Sequence, residues 1–209
     1  MKRFVVLCLI AAMAGGVFFS VDPGRKAGIA GVPSALADPG SDPLEELGAL
    51  LTRKPYKGEE KKVWVELTWV TPEYLKALVA SGEGKKALKV YREIDLEKSI
   101  AFKVSLTTHT INLREYEVVE KSLLVDDQGT EYRPSGWREL PSPMPMMASH
   151  HRMGILRFPK LGKDKSPVIG EKTKAIEVLI RNLGKVEERG FRWTFPLSKG
   201  EGSPPPTKF

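Results

Sequence analysis

Imidazole and thioether groups are the side chains of this sequence best suited to site chemistry, and most of them are crowded together. The stretch Pro143 to Met153, PMPMMASHHRM, holds four of the six methionines (Met144, Met146, Met147 and Met153) and two of the three histidines (His150 and His151). The third, His109, lies in TTHT. Imidazole and thioether donors suit Cu(I) and Cu(II), so His109, His150, His151, Met144, Met146 and Met147 form a candidate metal set, with copper the cofactor it points to. The spacing argues for caution about geometry. On one extended strand His150 and His151 would face opposite ways, so only one would reach His109 unless a bulge or turn intervened at Ala148 to His151. Arg152 adds a positive charge beside them. The competing reading needs no ion: Pro141, Pro143 and Pro145 favour an extended loop whose methionines cover an apolar edge, while the histidines serve as hydrogen-bond donors.

Other constellations carry less. Ser149 beside His150 is adjacency along the chain, and neither GxSxG nor HExxH supplies a frame for a nucleophile or a zinc hydrolase. Asp126 and Asp127 precede Gly129 and read as turn residues. On the last apolar run, Arg192 and Thr194 alternate with Phe191, Trp193 and Phe195. Arg192 beside Arg152 or Arg157 on an open sheet face would make an anion-binding surface. The sequence therefore points away from catalysis.

The elements that must position these groups begin after an export signal. Lys2 and Arg3 precede an uncharged run from Phe4 to Val21, and SALA ends at Ala37 with small residues at Ala35 and Ala37. Residues 1–37 are thus expected to be a signal peptide, or a short membrane anchor through residues 4–21. Cleavage after Ala37 removes Cys8, the single cysteine, and with it any disulfide or thiolate chemistry. The formal charge of +7 with 33 basic residues invites a nucleic-acid reading. It does not hold, because the charges are interspersed, as in KGEEKK, rather than gathered into a basic stripe with aromatics.

Residues 38–62 read as a linker with one helical turn near Leu44 to Leu51. From Val63 the pattern turns to strands. VWVELTWV alternates with period two, SIAFKVSLTTHT places Ile100, Phe102, Val104 and Leu106 on one face, and a hairpin with Gly129 in its turn follows. GILRFP, KAIEVLIRNLG and RGFRWTFPL add further β-branched and aromatic runs. Between the first two strands, Thr71 as cap, Pro72 at the first helical position and Gly82 as stop define one short helix. Six or seven strands without βαβ alternation give a mainly β fold, a single antiparallel immunoglobulin-like sandwich over residues 63–197. Residues 198–209, rich in Pro, Gly and Ser, read as a disordered tail.

The order TTHTINL, Trp137, HHRMGILRFP, IEVLIRNLG and VEERGFRW, across residues 63–196, resembles a group of exported bacterial and archaeal β-sandwich proteins with Thr-His, His-His-Arg and Phe-Arg-Trp in that sequence. The resemblance implies one domain and an extracytoplasmic setting, and carries no activity. The Met-rich insertion before His150 departs from the shorter Gly and Ser loop of that group. Two functions stand open. The favoured one is a non-enzymatic binding domain, periplasmic or extracellular, acting as an interaction or assembly module on another envelope protein. The alternative is a periplasmic metal-binding protein, for copper above all, using the His and Met set.

Overall fold

The computed structural model describes residues 42–54, 62–82, 89–91, 93–141 and 149–197. Chain order runs α1 (Pro43–Leu51), β1 (Thr52–Arg53), β2 (Val63–Val70), α2 (Pro72–Ala80), β3 (Ser99–Thr108), a 3-10 turn (Leu113–Glu115), β4 (Ser122–Asp126), β5 (Glu131–Tyr132), β6 (Gly136–Glu139), β7 (His151–Pro159), β8 (Ala175–Leu183) and β9 (Val186–Thr194). One sheet has the order β1-β2-β3-β7-β6 and the other β5-β4-β8-β9, with every pairing antiparallel. Lettered along the chain from β2, the order is A-B-E-D against C′-C-F-G, the immunoglobulin arrangement, with β1 added at the edge.

The expected strand phases hold. Val63, Val65, Leu67 and Trp69 of β2 and Ile100, Phe102, Val104 and Leu106 of β3 are buried, and they meet Phe191 and Trp193 of the facing sheet. Phe102 is the centre of this core: its ring lies 5.0 Å from Trp193, 5.9 Å from Phe158 and 6.2 Å from Trp69. The helix α2 starts as expected, with the Thr71 side chain accepting from the Tyr74 N–H, and Gly82 follows it at φ +73°. Gly129 sits at φ +80° in the β4–β5 hairpin, where the Asp126 carboxylate accepts from the Gln128 and Thr130 N–H groups.

Two features differ from expectation. The described residues carry two nine-residue helices rather than one, because Pro43–Leu51 is a capped helix. That segment also packs tightly instead of acting as a linker. Leu50, Leu51 and Arg53 are buried, Trp193 donates its indole N–H to the Leu51 carbonyl at 3.0 Å, and Arg53 Nε donates to the Arg192 carbonyl at 2.8 Å. The boundary at residue 63 therefore falls inside the folded unit. The described residues form nine strands rather than six or seven, with β1 and β5 only two residues long.

Register assigns the outer face of the first sheet to rows. Val70, Ala101 and Arg157 form one, then Thr68, Lys103 and Ile155, then Glu66, Ser105 and Met153, and finally Trp64, Thr107 and His151. The first two rows are largely buried although they face away from the sandwich. The β2–β3 connection covers them: it carries the buried Tyr74, Leu78, Tyr91 and Ile94, and its Glu93 pairs with Arg138 of β6. The last two rows are only half-buried.

Candidate functional site

All three histidines of the sequence come together at that half-buried end of the face. β3 and β7 are neighbours with Thr107 opposite His151, so His109, just past the end of β3, meets the residues that begin β7. The His109 ring centre lies 6.3 Å from that of His150 and 6.2 Å from that of His151. His150 occupies a turn immediately before the strand, which removes the objection that the pair must face opposite ways. Trp64 completes the group. It packs edge-on against His109 at 6.0 Å and shares the row of Thr107 and His151.

The backbone around these rings is tied down. Thr108 N–H donates to the His150 carbonyl at 2.9 Å, and Leu113 N–H donates to the Ser149 carbonyl at 2.8 Å, which fixes the turn against the β3–β4 connection. The buried Thr108 hydroxyl donates to the Lys62 carbonyl at 2.9 Å and accepts from the Thr110 N–H at 3.1 Å, holding the bend that presents His109. His151 Nδ1 lies 3.3 Å from the Thr107 hydroxyl, so its Nε2 is the nitrogen left for a ligand. His150 Nδ1 is buried with no hydrogen-bond partner. A nitrogen in that state lacks the orienting group that the base of a Ser–His pair carries, and it is a cost that a ligand would relieve.

Arg152 does not point a charge at the histidines. It alternates to the opposite face from His151, donates to the carbonyls of Leu113 and Tyr116, pairs with Glu139 at 3.0 Å and lies over the Trp137 ring. Glu66, in the next row, is engaged by Lys54 at 2.8 Å. As the side chains stand, no group of three or more His, Cys, Asp or Glu among the described residues is arranged to hold an ion. Met144, Met146 and Met147 lie outside the described residues.

The expected anion-binding surface is not assembled. Arg192 belongs to the second sheet, where it pairs with Glu177 at 3.5 Å, while Arg152 and Arg157 belong to the first. Arg189 shares the core-facing side of β9 with Phe191 and Trp193 and donates to the Leu183 carbonyl.

Trp64 and Thr107 were not singled out by the sequence pattern, because their place beside the histidines comes from register alone. A second feature, a cleft of about 1060 Å³ at the opposite end, lies between the β4–β5 hairpin and the β7–β8 connection. The Asp126 and Asp164 carboxylates serve their own loops. The Asp164 side chain takes the Ser166 hydroxyl and N–H, which hold it below the usual carboxylate range.

No helix among the described residues is long and apolar enough to cross a membrane. Comparison with protein-family models, with curated proteins and with solved structures gives no match.

Proposed function

We propose that the chain is an exported, non-enzymatic binding domain of the cell envelope whose ligand is a transition-metal ion held at the His109, His150 and His151 end. One observation carries this reading: a sequence with three histidines brings all of them to one place, though His109 and His150 lie 41 positions apart in the chain. Imidazole is the donor that remains for such an ion where cysteine is confined to Cys8. Copper is the ion this donor favours most among the divalent first-row series.

The test is thermal. A ligand that binds only the folded state stabilises it by RT ln(1 + [L]/Kd), about 2.7 kcal/mol at a hundredfold excess over Kd. Added Cu(II), Cu(I) or Zn(II) should raise the melting temperature of metal-free protein, and His109→Ala should remove the gain. A flat response to all three ions sinks the reading.

A second reading has its own support. The rows that carry Trp64 and Met153 are only half-buried among the described residues, which suits them to contact with another envelope protein. Capture of such a partner by wild-type protein, lost in Trp64→Ala and indifferent to metal, would favour it.

A further inference from the structure

We infer that the ion this end is shaped for is monovalent Cu(I), taken in near-linear, two-coordinate fashion between His109 and one imidazole of the His150/His151 pair. The inference rests on the metal reading above and goes further by naming the oxidation state and coordination number.

The argument starts from ring separations. A ring centre sits about 3.2 Å from an ion that its nitrogen ligates, of which about 2.0 Å is the metal–nitrogen bond. Two imidazoles on one tetrahedral ion then have centres about 5.2 Å apart, and two on opposite sides of it about 6.4 Å apart, by the same geometry. The observed separations are 6.3 Å and 6.2 Å. They match the span of a linear arrangement in which the two ligating nitrogens turn toward each other, and exceed the tetrahedral span by about 1 Å for each pair. Linear coordination by two neutral nitrogens is the habit of a closed-shell monovalent ion, whereas structural zinc takes four ligands and catalytic zinc three plus water.

Charge points the same way. Glu66, the acidic residue on the adjoining row, is paired with Lys54, and no His, Cys, Asp or Glu group of three or more among the described residues closes a cage. Neutral donors compensate a single charge more readily than a double one, since the cost of taking an ion from water grows with the square of its charge. Trp64 packs edge-on against His109 and supplies no ligand atom of its own. The ligand atoms follow from the hydrogen bonds. His151 offers Nε2 because Thr107 engages its Nδ1, and His150 offers its buried, unpartnered Nδ1.

The experiment uses the full chain under anaerobic conditions. Cu(I) is delivered from a chromophoric competitor, with Ag(I) as a redox-inert surrogate and Zn(II) and Cu(II) as comparators. One equivalent of Cu(I) should bind, tighter than Zn(II) by at least about a hundredfold, and Ag(I) should behave likewise. His109→Ala should abolish binding, and of His150→Ala and His151→Ala only one should do so. His109 is exposed, so its removal leaves the folded core untouched. X-ray absorption of the Cu(I) form should show two nitrogen neighbours and no others. Three or four light neighbours, a sulfur neighbour, or Zn(II) binding as tight as Cu(I) would overturn the two-coordinate assignment while leaving a metal site in place. Binding of none of the four ions would overturn both this inference and the reading beneath it.

Discussion

Replacing Phe102 by Ala tests the strand phase on which both the core and the site depend. The ring is fully buried and packs against Trp69, Phe158 and Trp193 at centre distances of 6.2, 5.9 and 5.0 Å. Truncating a buried Phe costs about 3 to 5 kcal/mol, from lost transfer free energy and the cavity left behind. Three ring neighbours, each worth about 0.5 to 1.5 kcal/mol beyond area, put this site at the upper end. A loss of about 4 to 5 kcal/mol is a third or more of the stability of a typical domain. In urea, with a slope of about 2 kcal/mol/M, the unfolding midpoint should fall by about 2 M. Phe102→Leu, which keeps most of the volume and loses the ring contacts, should cost less than half as much. Lys103, half-buried on the outer face between Thr68 and Ile155, should lose about 1 kcal/mol or less on replacement by Ala. If Lys103→Ala proves the costlier change, the phase of β3 is shifted by one residue. Thr107 would then turn inward and the row of Trp64, Thr107 and His151 would dissolve with it.

Three further perturbations probe separate parts of the fold. Trp193→Phe removes the donor to the buried Leu51 carbonyl and should cost about 1 to 3 kcal/mol; it should also speed proteolysis within residues 43–54, and unchanged cleavage there would detach that segment from the folded unit. Gly154→Ala would place a Cβ 2.1 Å from Cζ2 of Trp137, so the indole must leave its seat beside Arg152 and Glu139. A loss of about 1 to 3 kcal/mol with a changed tryptophan emission is expected, and an unaltered spectrum at full stability refutes the packing. Burial pulls the Asp126 carboxyl upward, but hydrogen bonds from Thr130, Tyr132 and Gln128 outweigh it and hold the group below its unfolded value near 3.8. A carboxyl lower in the folded state contributes stability above that unfolded value and loses it as pH falls through the folded one. Asp126→Asn should therefore cost about 1 kcal/mol at neutral pH, and denaturation series should show the gap to wild type narrowing as pH drops below about 4. A gap that stays constant down to pH 3 contradicts the assignment.

What could be read from the sequence was what neighbouring residues decide. The alternation in VWVELTWV and SIAFKVSL fixes which side chains go inward, and Thr71, Pro72 and Gly82 mark a helix whatever the rest of the chain does. The segment Pro43–Leu51 reads in sequence as a linker with one helical turn, although Asp42, Pro43 and Glu45 carry the same start signals as Thr71, Pro72 and Glu73; what the sequence does not show is how it packs. Its support comes from Trp193 and from the Arg192 carbonyl, both far along the chain. The grouping of Arg192 with Arg152 and Arg157 failed for a related reason. Alternation says which face of a strand a residue takes but not which sheet the strand joins, and that partition separated them.

The histidines follow from topology more than from local pattern. Once β3 and β7 are neighbours and antiparallel, the end of one must lie beside the start of the other, so His109 and the His150/His151 pair meet in any sandwich of this strand order whose register is near the observed one. Proximity alone would give only loosely gathered rings. The bonds from Thr108 and Leu113 to the carbonyls of His150 and Ser149, and from the Thr108 hydroxyl to Lys62, fix the backbone on both sides. For the proposed ion, the entropy of gathering its donors would thereby be met during folding rather than at binding. A cluster held only by the exposed rings would have no use for those bonds. The sharpest contrast is therefore Thr108→Val, which keeps every imidazole and removes the hydroxyl. It should weaken Cu(I) uptake even at temperatures where the fold is intact, whereas unaltered uptake would show that the clamps serve the sandwich alone.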